Sequence, residues 1–183
     1  MGQFHDTLTP QHQAFIADQK LFFVATATTE SRINLSPKGM DTFRILGPKR
    51  AVWLNVTGSG NETSAHVQAD GRMTVMFCAL EGAPMILRLY GTAKVIHHKD
   101  PEWADLMPHL PPRPGARQLF DLAIERIQTS CGTGVPLYAY GGERNFLDAW
   151  AEQKGQTGLQ AYWEKKNCYS IDGIPTRVIE KSS

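Results

Sequence analysis

The 183-residue chain has little cysteine, little charge imbalance and no long apolar run. Its three cysteines, Cys78, Cys131 and Cys168, are widely spaced and odd in number. That pattern offers no disulfide framework and no zinc ribbon. Basic and acidic residues number 19 and 18, for a formal charge of +1, and no Lys/Arg run exceeds two. A dedicated nucleic-acid binder carries a basic face instead. The longest apolar run, LFFVATA (21–27), is far too short to span a bilayer. The N-terminal MGQFHDTL lacks the basic-then-apolar order of a signal peptide, and Asp6 stands where myristoylation needs Ser or Thr. These absences read as a soluble, cytoplasmic protein with reduced thiols, without membrane or nucleic-acid partners.

What is present is ordinary globular material, 42% hydrophobic and 20% charged. Thr9-Pro10 is a helix start, a hydroxyl cap followed by proline, and predicts a helix to Lys20 with Phe15 and Ile16 buried. Short β signals follow at 21–28, 31–37, 42–46 and 51–56, with LGPKR as a turn. ETSAHVQAD predicts two or three helical turns ending at Gly71, followed by strands at 72–80 and 84–97. Six closely spaced strands predict a mainly β chain, an antiparallel barrel or sandwich. One helix between the fourth and fifth strands makes no βαβ repeat.

From about residue 99 the pattern changes. DPEWADLMP and ARQLFDLAIERI read as helices, VPLYAY as strand-like, and ERNFLDAWAEQKG and TGLQAYWEKKN as helices separated by Gly155. The tail YSIDGIPTRVIE reads as a turn and a last strand. The whole, 1–183, is one domain: a β core at about 21–98 and a helical C-terminal part at about 99–183.

The stretch NVTGSGNETSAHV (55–67) suits an anion. Glycines let backbone N–H groups converge, and Asn61 or Thr63 can cap the following helix or donate to a phosphate oxygen. It is neither a Walker A loop nor a Rossmann fingerprint. A helix N-terminus contributes only about 0.3–1 kcal/mol to an anion, so a dianion needs a cation nearby. The loop has none, and Glu62 adds a negative charge. Lys38 and Arg88 are the candidates. Arg88 is the only charged residue from Pro84 to Ala93, where a buried arginine needs a carboxylate or phosphate. His97-His98 beside Asp100 reads as a surface or structural pair, Cys131 as a buried small residue rather than a nucleophile, and Asp121/Glu125 as one helical turn of solvated face.

Four segments together, INLSPKG (33–39), AVWLNVTGSGNETSAHV (51–67), RMTVMFC (72–78) and LRLYGTAKVI (87–96), resemble the pyridoxamine 5′-phosphate oxidase-like, FMN-binding split-barrel family. SCGTGVPLY and WEKKNCYSIDGIPT resemble an oxidase-related branch of unknown substrate. The resemblance implies a six-stranded antiparallel split β-barrel that works as a homodimer with FMN at the subunit interface. It implies an FMN-dependent oxidoreductase acting on a small-molecule redox substrate. By that resemblance Thr57, Asn61, Glu62 and Thr63 lie on the phosphate side. Ser36, Pro37 and Lys38 run beside the isoalloxazine ring, and Leu54 and Asn55 lead into the loop. The oxidases carry Arg and Lys where Gly60-Asn61-Glu62 stand here, and Arg88 is expected to supply the missing charge, with Lys38 as its rival. They also carry an arginine-rich C-terminal substrate motif, which SIDGIPTRVIE replaces. The alternatives are a non-catalytic flavin-binding or sensing protein, the same fold holding a deazaflavin or haem, and a structural dimer.

Overall fold

The structure, a computed structural model, describes residues 2–179. In chain order the strands are β1 (Gln3–His5), β2 (Phe22–Thr26), β3 (Asn34–Lys38), β4 (Phe43–Gly47), β5 (Arg50–Val56), β6 (Arg72–Cys78), β7 (Ile86–Ile96) and β8 (Ala116–Ser130). The helices are α1 (Pro10–Asp18), α2 (Glu62–Ala69), α3 (Glu102–Leu106) and α4 (Phe146–Lys166). A 3-10 turn, Met107–His109, extends α3. All strand pairs are antiparallel, in the order β3-β2-β6-β7-β8-β5-β4, with β1 beside the far half of β8.

Local chemistry sets most of these elements. Thr9 caps α1 by accepting from the His12 N–H at 3.2 Å, while His12 Nδ1 accepts from the Thr9 N–H at 3.3 Å. This is a capping box with histidine in the usual place of Glu or Gln. The helix ends at Asp18, two residues short of the expected end, with Ile16 buried and Phe15 packed on the core. Pro48 and Lys49 form the two-residue link between the paired Gly47 and Arg50. Gly71, at φ +82°, stops α2 in the left-handed region where glycine costs nothing.

The sheet path is open, with β3 and β4 at its two edges. Aromatic rings bridge the split. Phe22 of β2 and Phe43 of β4 have centroids 5.2 Å apart, and Phe43 and Phe77 5.0 Å. Trp53 stacks on Phe120 at 4.5 Å inside the same core. A second apolar cluster forms on the other face of β5 and β8, where Val52, Leu54, Ile96 and Leu119 meet Leu106 and Leu110.

The segment ARQLFDLAIERI is strand β8, not a helix. Phe120, Ala123, Ile124 and Ile127 fall at helical spacing, but Gln118, Phe120, Leu122 and Ile124 also fall at the strand period of two. Pairing along the full length of β7 and with β5 decides between them. The sheet therefore has eight strands rather than six, and the β core reaches into the part expected to be helical. Asp121 and Glu125 lie on this strand. Asp121 pairs with Arg50 at 2.8 Å, and Glu125 accepts from Thr92 at 2.7 Å. VPLYAY forms no strand. It is tied to the β6–β7 link by the Tyr138 N–H on Leu80 O at 2.9 Å.

Gly155, at φ 60° and ψ 176°, splits α4 into the two helices expected. They fold back so that the Trp150 and Tyr162 rings meet at 5.1 Å. The tail makes one isolated antiparallel bridge, Tyr169 to Pro175, and not the expected last strand among the described residues 169–179; Glu180 lies outside them. No helix of the described residues is long and apolar enough to cross a membrane.

Between Tyr90/Arg126 and Gly91/Ile124 the β7–β8 ladder shifts by one, leaving Glu125 as a bulge. A Cβ on Gly91 would lie 2.0 Å from the Ala123 carbonyl oxygen. Backbone must therefore move to admit any side chain there. Gly91→Ala is expected to destabilise the fold by about 1–3 kcal/mol, the usual cost of overpacking, read as a lower urea midpoint with an unchanged slope.

Candidate functional site

The loop between β5 and α2 is held from three sides. Thr57 gives both its N–H and its hydroxyl to Gly115 O, at 2.7 and 2.9 Å. Trp163, in the second half of α4, donates its indole N–H to Thr57 Oγ1 at 2.9 Å. Asn167, just past α4 and fully buried, donates to Gly58 O at 3.1 Å. The Asn61 side chain pairs with Gln118, whose amide donates to Asn61 Oδ1 at 2.7 Å. Asn61 occupies the N-cap position of α2, yet its side chain caps nothing. Thr63 accepts from Asn34 of β3 at 3.1 Å. The Glu62 carboxylate turns away and accepts the Ile171 N–H at 3.0 Å.

Beneath this loop lies Arg117, 2% exposed. It donates to Asn167 Oδ1 at 2.7 Å and to Gly60 O at 3.1 Å, and its Nε has no partner. Among the described residues no carboxylate pairs with it. Burial pushes its pKa down to about 9, still protonated at neutral pH. Lys38, at the end of β3, is half-buried with its ammonium 5.6 Å from the Trp53 ring centroid. Burial, with the Arg117 charge second, pushes Lys38 down to about 8. Two cations near each other without an acid are the electrostatic signature of an anion site.

β3 carries its residues on two faces. Asn34, Ser36 and Lys38 are partly covered, and the buried Ser36 Oγ has no partner. Ile33, Leu35 and Pro37 are exposed. The following turn is strained: Met40 and Asp41, neither a glycine, have φ of 62° and 57°. Arg113 holds it by donating to Met40 O at 2.6 Å while pairing with Asp148 of α4. Arg44 grips Asp41 from the other side at 2.6 Å. Such over-determined strain fixes where Lys38 and Met40 are presented.

The fold thus gathers Thr57, Asn61, Glu62 and Thr63 around one loop, with Asn55 on β5 opposite Gln118. Leu54 points into the outer apolar cluster, away from that polar group. Arg88 does not join the loop of its own chain. It pairs in register with Gln128, ten positions along β8 from Gln118 (128 − 118), or roughly 30 Å at about 3.3 Å per residue. Its guanidinium donates to Ser130 at 3.2 Å. The cation under the loop is Arg117, hidden in a segment that reads as a helix. An arginine beside the apolar run LF was its only sequence signal. Trp163 stood out only as one of the aromatic residues of the C-terminal helices, and Gln118 and Asn167 had no signal.

His97 lies apart from this site, whereas His98 reaches its margin, with Nε2 3.0 Å from Ala116 O and its ring 6.0 Å from that of Trp163. Cys131, expected to be buried, is exposed just past the end of β8. His97 donates its N–H to Asp100 at 2.7 Å, and His98 stacks on Trp103 at 3.9 Å. Beyond Lys38 opens a cleft of about 1040 Å³, walled by Pro37–Met40, residues 78–83 and residues 138–147.

The chain is an antiparallel barrel split between β3 and β4, with a basic, loop-closed polar site at one end. The family model described as Pyridoxamine 5′-phosphate oxidase matches residues 8–131, and the chain belongs to that family. It is 35% identical over 193 aligned positions to the pyridoxamine 5′-phosphate oxidase family protein ustO of Aspergillus flavus, covering 96% of this chain and 78% of that one. The fold is similar to that of a variant of HupZ from Group A Streptococcus, with a TM-score of 0.52 and 20% identity over 67% of this chain and 98% of that one.

Proposed function

We propose that this protein binds FMN and acts as an oxidoreductase on a small molecule, as a homodimer with the cofactor at the subunit interface. The observation that carries the reading is the pair Arg117 and Lys38, two cations with no carboxylate partner among the described residues, beside the Gly58-Ser59-Gly60 loop. The residues present fit a phosphorylated flavin. Thr57, Asn61 and Thr63 supply polar groups at the loop, and Arg117 supplies positive charge from below. Ser36, Pro37 and Lys38 would flank the ring, and the partnerless Ser36 hydroxyl is a free group for it. FMN, when bound, supplies hydride or electron transfer. The chain's part is to bind and orient it and to exclude water, and no side chain is assigned as acid or base. Family membership supports the flavin. Turnover of a reduced nicotinamide or another donor separates an enzyme from a flavin store.

The test starts from colour: protein incubated with FMN and desalted should keep the absorbance bands of oxidised flavin. Arg117→Met should weaken FMN at least tenfold, about 1.4 kcal/mol, and riboflavin much less, since only FMN carries the phosphate. Equal loss for both ligands would reduce Arg117 to a prop for the loop.

Lys38 adds a pH dependence. Its cationic form prevails below about pH 8 and is lost above it. If that form holds the anion, FMN affinity should be flat from pH 6.5 to 7.5 and fall about tenfold per unit above pH 8.5. Lys38→Arg should remove the part of the fall that begins near pH 8 and leave only a fall above about pH 9, where Arg117 loses its charge.

The dimer rests on the exposed edge of β3, where Ile33 is 80% and Leu35 64% exposed. Sedimentation at micromolar concentration should give twice the chain mass, and Leu35→Lys should shift it toward monomer. A monomer that binds FMN tightly would refute the shared site.

A further inference from the structure

The motif SCGTGVPLYAYGGER is not used by the loop site. It builds one wall of the 1040 Å³ cleft, which is large for a small-molecule site. The apolar lining comes from three parts of the chain: Phe15 of α1, Leu80 after β6, and Tyr138, Tyr140, Phe146 and Leu147. Tyr138 is 64% and Phe146 80% exposed, so these rings are presented to the cleft rather than packed away.

The wall is fixed. Gly132, at φ +65°, lies so close to Met85 that a Cβ would sit 3.0 Å from its backbone. The Val135 N–H bonds to Gly132 O at 2.9 Å. Tyr138 N–H bonds to Leu80 O, and Tyr140 N–H to the Glu81 carboxylate at 3.1 Å. Tyr140 OH donates to Glu143 at 2.9 Å. Glu81 and Glu143 are thereby engaged by Tyr140, and Asp18 is the third acid of the cleft. Arg144 lines the cleft beside Tyr138 and Phe146, with Lys20 and Lys38 as further cations of its lining.

We propose that this cleft binds a planar, largely apolar aromatic molecule bearing one negative substituent. Tyr138 and Phe146 stack or edge against its rings, and Arg144 meets its charge. The proposal deepens the flavin reading and rests on it in one respect: Pro37 and Lys38 belong to both sites, so the cleft ligand is the molecule presented to the flavin.

The probe is 8-anilinonaphthalene-1-sulfonate, whose flat naphthalene ring carries a single sulfonate, titrated into the full chain with and without FMN. Binding should saturate at one per chain. Tyr138→Ser and Phe146→Ser, at exposed positions that the fold tolerates, should each weaken it at least fivefold while FMN affinity and sedimentation stay unchanged. Arg144→Gln should weaken the sulfonate probe but not neutral N-phenyl-1-naphthylamine. Wild-type probe affinity in both serine variants would overturn the proposal. So would their conversion of a dimer to a monomer, because the cleft would then be a subunit contact. Probe binding lost in these variants, in a protein that never takes up FMN, would support the aromatic site and overturn the flavin reading instead.

Discussion

A guanidinium removed from water has to be answered by something, and at Arg117 it is answered by dipoles alone. The Asn167 side-chain oxygen and the Gly60 carbonyl each accept one of its N–H groups. Dipoles solvate a charge without cancelling it, so the positive field persists beneath the loop. Much of the neighbourhood follows from keeping those two oxygens in place. Gly60 is held by a loop anchored through Thr57 to Gly115 and Trp163. Asn167 is held by donation to Gly58 and by Thr176, whose hydroxyl bonds to the Asn167 carbonyl. Ser64 and Gln68 of α2 then donate to Thr176 O. One buried charge thus couples β8, the loop, α2 and the C-terminal segment.

The split in the barrel is the second organising feature. β3 and β4 are joined through the turn 39–42 and not by a ladder, and the split is closed by Phe43 of β4 packing on Phe22 of β2 and Phe77 of β6. The turn carries two residues in the left-handed region, a conformation that costs on the order of 1 kcal/mol or more for each. Arg113 and Arg44 offset that cost from opposite sides. The same turn is where the cleft and the loop site meet, so its rigidity sets their relative position.

The mainly β fold and most strand positions were legible because β2 to β7 are short, rich in branched or aromatic residues and bounded by turns. α1 was legible from Thr9-Pro10, and the break in α4 from Gly155. β8 was not, since its apolar residues satisfy both periods and only its partners choose. That single ambiguity hid Arg117 and Gln118, and with them the cation, leaving Arg88 as the apparent substitute. The loop itself could be read from its glycines. Its dependence on Trp163 and Asn167 could not, because nothing local links residue 57 to residue 163. β1 escaped because three polar-flanked residues carry no period, and VPLYAY looked like a strand because its aromatic residues line a cleft instead.

Synthesis runs from the N-terminus, and here that direction matters. All eight strands have been made once Ser130 is in place, so the barrel can close. The loop at Thr57 still lacks Trp163, 106 positions later, and Gly58 lacks Asn167, 109 positions later. At about 5–20 residues per second, the loop waits about 5–20 s for its clasp. For the last 33 positions of that wait, from Ser130 to Trp163 (163 − 130), or about 2–7 s, the nascent protein has a closed core and an unfinished anion loop, and Arg117 lacks its Asn167 acceptor. A chain stalled or cut between residues 131 and 162 would keep its hydrophobic interior and lose the clasp.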